Sequence, residues 1–508
     1  MTGLLIVPVA LPAFLGAVQL LLVRQSPRVQ RLLGLAGSLA LLAIALRLVA
    51  IADTGVIRVY AIGDWPAPLG IVLVLDRLSA YMLLLAALVG LGSLAYAVRG
   101  WDQAGRNFHP LFMLQLAGIN GAFLTGDLFN LFVFFEVLLI ASFCLMLHGG
   151  GKARLRAGTI YVVLNLVGSA LFLIAVGLLY GVAGTLNLAD LGRAMGALDP
   201  AGAGLARIGA VLLLVVFGLK AALVPLHLWL PEGYGEAAPP VAALFAIMTK
   251  VGAYCILRVF TVVFGPLAGE LSWLAQPWLL PAALATLWLG MLGALASRAL
   301  GELVAFLLIA SVGTLLIAFA LFSVPAITAG LYYLAHSTLV TAGLFLLLEP
   351  ISRQRGELGG RLAPGPPLGQ PHLLGWSFFV GAVAVVGIPP LSGFLGKTMI
   401  LQSATGLDAA GWIYATMLLT GLLGLIGCSR AGNLVFWETA GEAEDRPAAA
   451  ATAGALGPPL ALIGCSVLLT AAAGPIVDYA EATARQVVDP TCYIRAVLDE
   501  GPASGRSR

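Results

Sequence analysis

Residues 217–250 read FGLKAALVPLHLWLPEGYGEAAPPVAALFAIMTK, and this stretch decides what kind of molecule the chain is. Long apolar runs surround it, yet Lys220 and Lys250 stand inside those runs, and Pro225 and Pro231 interrupt the first of them. An ammonium at the centre of a membrane helix costs about 2.5–3.5 kcal/mol on insertion scales. Ionisable residues kept at that cost face a bundle interior or a wet cavity and mark an ion path. Proline-broken helices at the same depth are tolerated only where protein or water satisfies the freed backbone groups. The stretch therefore predicts a buried site on a broken helix, with lysines that pass protons.

Composition places this site in a membrane. Of 508 residues, 60% are hydrophobic and only 10% are charged, whereas a soluble protein averages about 25% charged. The fold class is all-α and polytopic. Fourteen apolar spans are expected, near 4–23, 31–52, 76–98, 110–126, 127–148, 158–182, 203–230, 239–263, 276–297, 302–322, 326–349, 373–401, 408–429 and 455–474, numbered one to fourteen below. The first run lacks a basic leader and a small-residue cleavage site, so it reads as a retained helix. Residues 53–70 mix β-branched and turn residues and predict a short surface hairpin. The connections 349–372 and 430–454 read as exposed loops, and 475–508 as a polar tail. Cys144, Cys255, Cys428, Cys465 and Cys492 are scattered with no CxxC pair, which leaves no metal or iron–sulfur site to assign. No nucleotide-binding glycine motif follows a strand, and no basic groove with interleaved aromatics suggests nucleic acid. No cofactor is expected.

Basic residues set the orientation. Arg24, Arg28, Arg31, Arg99, Arg106, Lys152, Arg154, Arg156, Arg298, Arg353, Arg355, Arg361, Arg430 and Arg446 fall on one face if there are fourteen crossings. The other face offers Arg58, Arg193 and Arg207. The arginine-rich face is then cytoplasmic and both termini are periplasmic, in a bacterial cytoplasmic membrane.

A second break occurs at 387–397, GIPPLSGFLGK, where Pro389, Pro390 and Gly393 precede Lys397. Spans seven and twelve thus each join a lysine to a helix break, five spans apart. Paired interrupted helices point to an internal repeat with sites near the midplane, and an odd separation makes the two units inverted. Lysine itself is informative: the chain has four lysines against twenty-three arginines, and Lys220, Lys250 and Lys397 are the three in apolar spans. A guanidinium cannot be deprotonated in a protein, whereas a desolvated lysine titrates readily. Glu136 is the acidic counterpart, about 13 Å past Asp127 at helical rise, and a carboxylate beside a lysine would load and release its proton. The competing reading is a static ion pair between helices. His336 opens HSTLVTAGLF and is suited to relay, with Ser337, Thr338 and Thr341 placed to hold water. His227 reads as structural or as a pathway mouth. Asp76 and Arg77 are expected to pair locally near the surface, Arg258 to snorkel, and Glu302 and Glu349 to be solvated or interfacial.

Together TGDLFNLFVFFEVLLIASF, residues 217–254, AHSTLVTAGLFLL and GIPPLSGFLGK resemble the antiporter-like subunits shared by respiratory complex I and the multisubunit Mrp (Mnh, Pha) cation/proton antiporters. The first motif and the short C-terminal region most resemble the D-type Mrp subunits. The resemblance implies two inverted five-helix units, 110–263 and 276–430, between an N-terminal region 1–109 and a last segment 431–508. It implies that Glu136 pairs with Lys220, that Lys250 is the central site, that Lys397 is the exit, and that His336 matches a family histidine. Thr341 stands where many relatives carry a lysine; Thr341, His227 and Asp127 are accessory positions. The expected activity is proton movement in exchange for Na⁺ or K⁺ inside a heterooligomeric complex, which makes the chain a transporter component and not an enzyme. The alternative is a proton-pumping subunit of an NADH dehydrogenase or membrane hydrogenase.

Overall fold

A computed structural model describes residues 2–22, 26–438 and 450–498. Arg24, Arg446 and the tail beyond residue 498 lie outside the described residues. Among the described residues, twelve helices are long and apolar enough to cross a membrane, and two shorter apolar ones, Phe108–Leu124 and Pro371–Val386, fall at spans four and twelve. Each of the fourteen expected spans coincides with one of these helices. Three of them form the axis: span eight (Pro239–Val262) and span eleven (Val324–Gln354) are wholly buried over their apolar windows, and span ten (Leu300–Ala320) is 94% buried. A helix that is apolar all round and enclosed by others needs no lipid contact, so the charges on spans eight and eleven are shielded by protein.

The breaks come where proline forces them, with three differences from expectation. Span seven runs as Pro200–Ala221, leaves helical geometry over 222–228, and resumes as Trp229–Glu236. Pro225 sits in the break, but Pro231 lies in the first turn of the second piece, where proline removes no hydrogen bond and interrupts nothing. Span twelve breaks at 387–391, between Pro371–Val386 and Ser392–Ser403, so Pro389 and Pro390 are in the gap. Gly393 is already inside the second helix; the residue that turns the chain is Gly387, at φ 85°. Span eight is also interrupted, between Phe245 and Met248, just before Lys250.

At one end of the bundle, strands β1 (Arg58–Ala61) and β2 (Val72–Leu75) pair antiparallel, with Arg58 opposite Leu75. The hairpin therefore reaches past residue 70. It is not wholly a surface feature either, since every residue of β2 is buried; the run VLVL is apolar on both faces, the pattern of a covered strand. The expected local pairing of Asp76 with Arg77 is not made. Asp76 caps span three through Ser79 and binds Arg258 at 2.6 Å, with both side chains almost fully buried, while Arg77 turns to Asp53 at 3.3 Å. Arg258 thus does not snorkel. Its guanidinium also meets the rings of Tyr254 and Tyr493, with centroids at 5.4 and 5.2 Å. Removing one partner from such a pair costs about 3–5 kcal/mol, because the other charge stays buried and alone. Tyr493 belongs to the expected polar tail, which is folded in its described part: helix Ala473–Val488 bonds span three through Tyr479 and Gln486, and Thr491–Leu498 packs on helix Leu188–Met195.

The opposite end gathers Arg31, Arg99, Arg154, Arg353 and Arg361 around two cavities of 840 and 600 Å³ that share Trp101, Glu349 and Arg353. Glu349 is buried, not solvated: it accepts from the Trp101 indole and pairs with Arg353. Glu302 is half-buried and caps the chain at Arg298 N, 2.9 Å away. The loop expected to be exposed after span eleven is organised from inside by buried Arg355, which donates to the carbonyls of Gly359, Arg361 and Ala363. Also at this end, burial would push the Asp102 carboxyl up, but hydrogen bonds from His109 and Arg31 hold it down at about 2.

Candidate functional site

Lys220 is the last-turn lysine of the first half of span seven and is 6% exposed. Carbonyls at a helix C-terminus carry partial negative charge, which suits an ammonium there. Its Nζ donates to Asn165 Oδ1 of span six at 3.0 Å and lies 5.5 Å from the centre of the Phe135 ring. Lys220 and Glu136 make no direct ion pair within 4 Å, although Glu136 is the carboxylate whose charge acts on Lys220. The cause is rotational. Successive residues on a helix point about 100° apart, and Phe135, buried against Phe172 and Phe217, takes the face towards Lys220. Glu136 is half-buried to one side, with Oε1 enclosed and without a hydrogen-bond partner. It borders a stripe of span five, Phe129, Val133 and Ile140, that is exposed on this chain alone.

Lys250 is fully buried, and its Nζ donates to Ser311 Oγ of span ten at 3.0 Å. Span eight reaches span seven closely at this level. A Cβ on Gly252 would stand 2.5 Å from Ala221 N and 2.9 Å from Lys220 C, so only glycine lets the two lysine-bearing backbones touch. His336, also fully buried, bonds Ser392 Oγ through Nδ1 at 2.8 Å, and Ser392 in turn meets Ser466 Oγ of span fourteen at 2.7 Å. Its Nε2 makes no close hydrogen bond among the described residues but faces the Ala384 carbonyl. Ser337 and Thr338 donate to Leu334 O of their own helix, so those protons are not offered to water; the buried Thr341 hydroxyl has no partner among the described residues.

Lys397 is half-buried in the second piece of span twelve. Its Nζ donates to Val386 O at 2.6 Å and Val385 O at 3.4 Å, carbonyls that the break frees at the end of the first piece. The two accessory positions at the ends read differently. Asp127 caps span five, accepting from Asn130 N at 2.8 Å, which accounts for its place in a polar turn. His227 lies half-buried in the break of span seven with Nδ1 unbonded.

The structure thus sets each of the three lysines in the spans against one or two neutral acceptors, with no carboxylate within 4 Å. The partners Asn165, Ser311, Ser392 and Ser466 were not anticipated. A neutral acceptor lowers the cost of holding a proton without trapping it, as a tight carboxylate pair would. That is the chemistry of a group that gains and loses a proton. Among the described residues no cluster of histidine, cysteine and carboxylate side chains could hold a metal ion.

The family described as NADH:quinone oxidoreductase/Mrp antiporter, TM, matches residues 125–424. The D-type subunit of a probable K⁺/H⁺ antiporter of Rhizobium meliloti is 40% identical, with 99% of this chain and 98% of that protein covered. The D-type subunit of the Na⁺/H⁺ antiporter of Alkalihalophilus pseudofirmus is 37% identical, over 98% and 100%. Among solved structures, a chain of the Mrp complex from a Dietzia species superposes with a TM-score of 0.88 at 30% identity, covering 98% and 99%. A chain of respiratory complex I from Thermus thermophilus gives 0.79 at 26%, covering 96% and 100%.

Proposed function

The chain belongs to the NADH:quinone oxidoreductase/Mrp antiporter family of membrane subunits, and from that premise we propose that it moves protons in exchange for Na⁺ or K⁺ as the D-type subunit of a multisubunit antiporter. The observation that carries the residue assignment is three lysines held inside the bundle by neutral oxygens alone. Glu136 takes up or delivers protons beside Lys220. Lys250 carries them across the axis with intervening water, His336 relays, and Lys397 releases. Residues 110–263 and 276–430 act as the two inverted transport units, with 1–109 and 431–508 as supporting segments. The membrane is the bacterial cytoplasmic membrane. Orientation with both termini periplasmic is supported by the shared end at which Thr2–Ile6, the hairpin and Thr491–Leu498 meet, opposite the arginine-lined cavities. A membrane potential of 100 mV acts on each transferred charge with about 2.3 kcal/mol. That is of the order of one lysine's insertion cost, so the field can bias the relay.

Relatives bear both sodium and potassium names, so the test uses both. Vesicles holding the whole complex, energised and read with a pH-sensitive dye, are expected to lose their proton gradient on addition of Na⁺ or K⁺. Similarity to a complex I chain favours a second reading, proton pumping driven by a redox arm. Under that reading the same vesicles respond to an electron donor and not to either cation. Genes for small antiporter subunits beside this one favour exchange; flavin and iron–sulfur genes favour the redox reading.

A further inference from the structure

His336 is not free to choose which nitrogen holds its proton. Its Nδ1 lies 2.8 Å from Ser392 Oγ, and Ser392 Oγ lies 2.7 Å from Ser466 Oγ. All three side chains are fully buried. Ser466 Oγ has no other partner among the described residues, so its proton finds an acceptor only in Ser392. Ser392 has one proton, and with Ser466 donating to it that proton goes to His336 Nδ1. Run the other way, Nδ1–H donates to Ser392, Ser392 donates to Ser466, and the Ser466 proton is left buried without an acceptor. Buried donors are seldom left so. The first direction satisfies every hydroxyl and makes Nδ1 an acceptor, so the neutral ring carries its proton on Nε2.

The Nε2 side is shaped to match. A Cβ on Gly393 would stand 2.7 Å from His336 Nε2 and 1.9 Å from Ala384 O. Glycine there lets the imidazole and the Ala384 carbonyl, near the end of Pro371–Val386, face each other where a methyl group would intrude. The Ala384 carbonyl faces Nε2 and offers its proton an acceptor, so this arrangement strands neither the ring N–H nor a hydroxyl. The titratable groups facing the ring are Lys250 on span eight, Lys397 on span twelve and Tyr333 on its own helix. Span fourteen contributes no charged side chain between Ala453 and Ala471; it contributes a hydroxyl.

We propose that Ser392 and Ser466 are positioning residues for proton relay: they fix His336 as the Nε2–H tautomer and oppose its second protonation, so that span fourteen, outside both transport units, sets the pH at which the relay works. The inference rests on the relay reading of His336. Gaining a proton at Nδ1 forces Ser392 to reverse and strands the Ser466 proton. Without the Ser466 hydroxyl, Ser392 accepts from Nδ1–H as readily as it donates, and the penalty on the protonated ring disappears.

The experiment compares the pH profile of cation-driven exchange for the whole complex in vesicles carrying wild type, Ser466→Ala, Ser466→Thr and His336→Ala, with assembly checked for each. Ser466→Ala should shift the profile to higher pH by about half a unit to one unit, the worth of one net hydrogen bond, and Ser466→Thr, which keeps the hydroxyl, should restore it. An unchanged Ser466→Ala profile, or a threonine variant that behaves like alanine, overturns the proposal while leaving His336 in place as a relay. If His336→Ala itself keeps the wild-type rate and profile, the relay reading fails and the inference falls with it.

Discussion

Vesicles holding the complex with Glu136→Ala or Lys220→Ala are expected to show no cation-driven proton movement above empty vesicles, while the complex still assembles. The two halves of this expectation have separate physical grounds. Transport fails because each variant removes a charge that nothing nearby replaces: Lys220 is the only ammonium at the span-seven break, and Glu136 the only carboxylate inside span five. Assembly survives because little depends on either side chain. Among the described residues Glu136 makes no ion pair within 4 Å, and its enclosed oxygen has no partner to orphan. Loss of Lys220 leaves only Asn165 Oδ1 without its donor, a penalty of about 1–3 kcal/mol. Assembly is read by co-purification of the subunits and transport by dye quenching. Normal exchange in either variant counts against the assignment, and loss of assembly in both points to the static-pair reading.

Lys250→Arg is the second large effect. Charge is conserved, but a guanidinium stays protonated at any pH a cell reaches, so the residue can attract a proton path and never complete one. Exchange is expected to fall to background, as in Lys250→Ala. Lys250→His should keep a reduced rate, because an imidazole titrates near neutrality. The site is fully buried and closely packed around Gly252, and overpacking costs about 1–3 kcal/mol, so co-purification of the other subunits accompanies each measurement. Arginine supporting exchange while assembly holds would mean that fixed charge, not proton release, is what the position supplies.

The lysines, the glutamate and the breaks were legible because each violates the rule of its surroundings. A charge in an apolar run or a proline in a helix stands out against twenty neighbours. What those groups touch was not legible. Asn165, Ser311, Ser392 and Ser466 are neutral, and small polar residues are ordinary in membrane helices, so nothing marked them. Asp76 and Arg258 were each assigned to a surface because their pairing spans 182 residues of chain, and no local pattern announces a contact at that separation. The direction of Glu136 failed for a subtler reason: sequence gives depth along a helix well, but rotation only through the pattern of burial, and span five is apolar on every face. The tail could have been read better. Ala480, Thr483, Ala484 and Val487, all buried, recur at the spacing of one helix face, though the charges between them suggested solvent. Pro231 and Gly393 were assigned to breaks by residue type alone, when one lies in the first turn of a helix and the other admits a histidine.

The central claim is that water joins these separated groups into one path. An experimental map of the assembled complex, at a resolution that shows ordered solvent, tests it most directly. Waters are expected to link the Asn165–Lys220 pair to Lys250 and Ser311, and to continue from His336 Nε2 to Lys397. Closely packed apolar side chains filling those gaps, with Glu136 or any of the three lysines turned out to lipid, would contradict it.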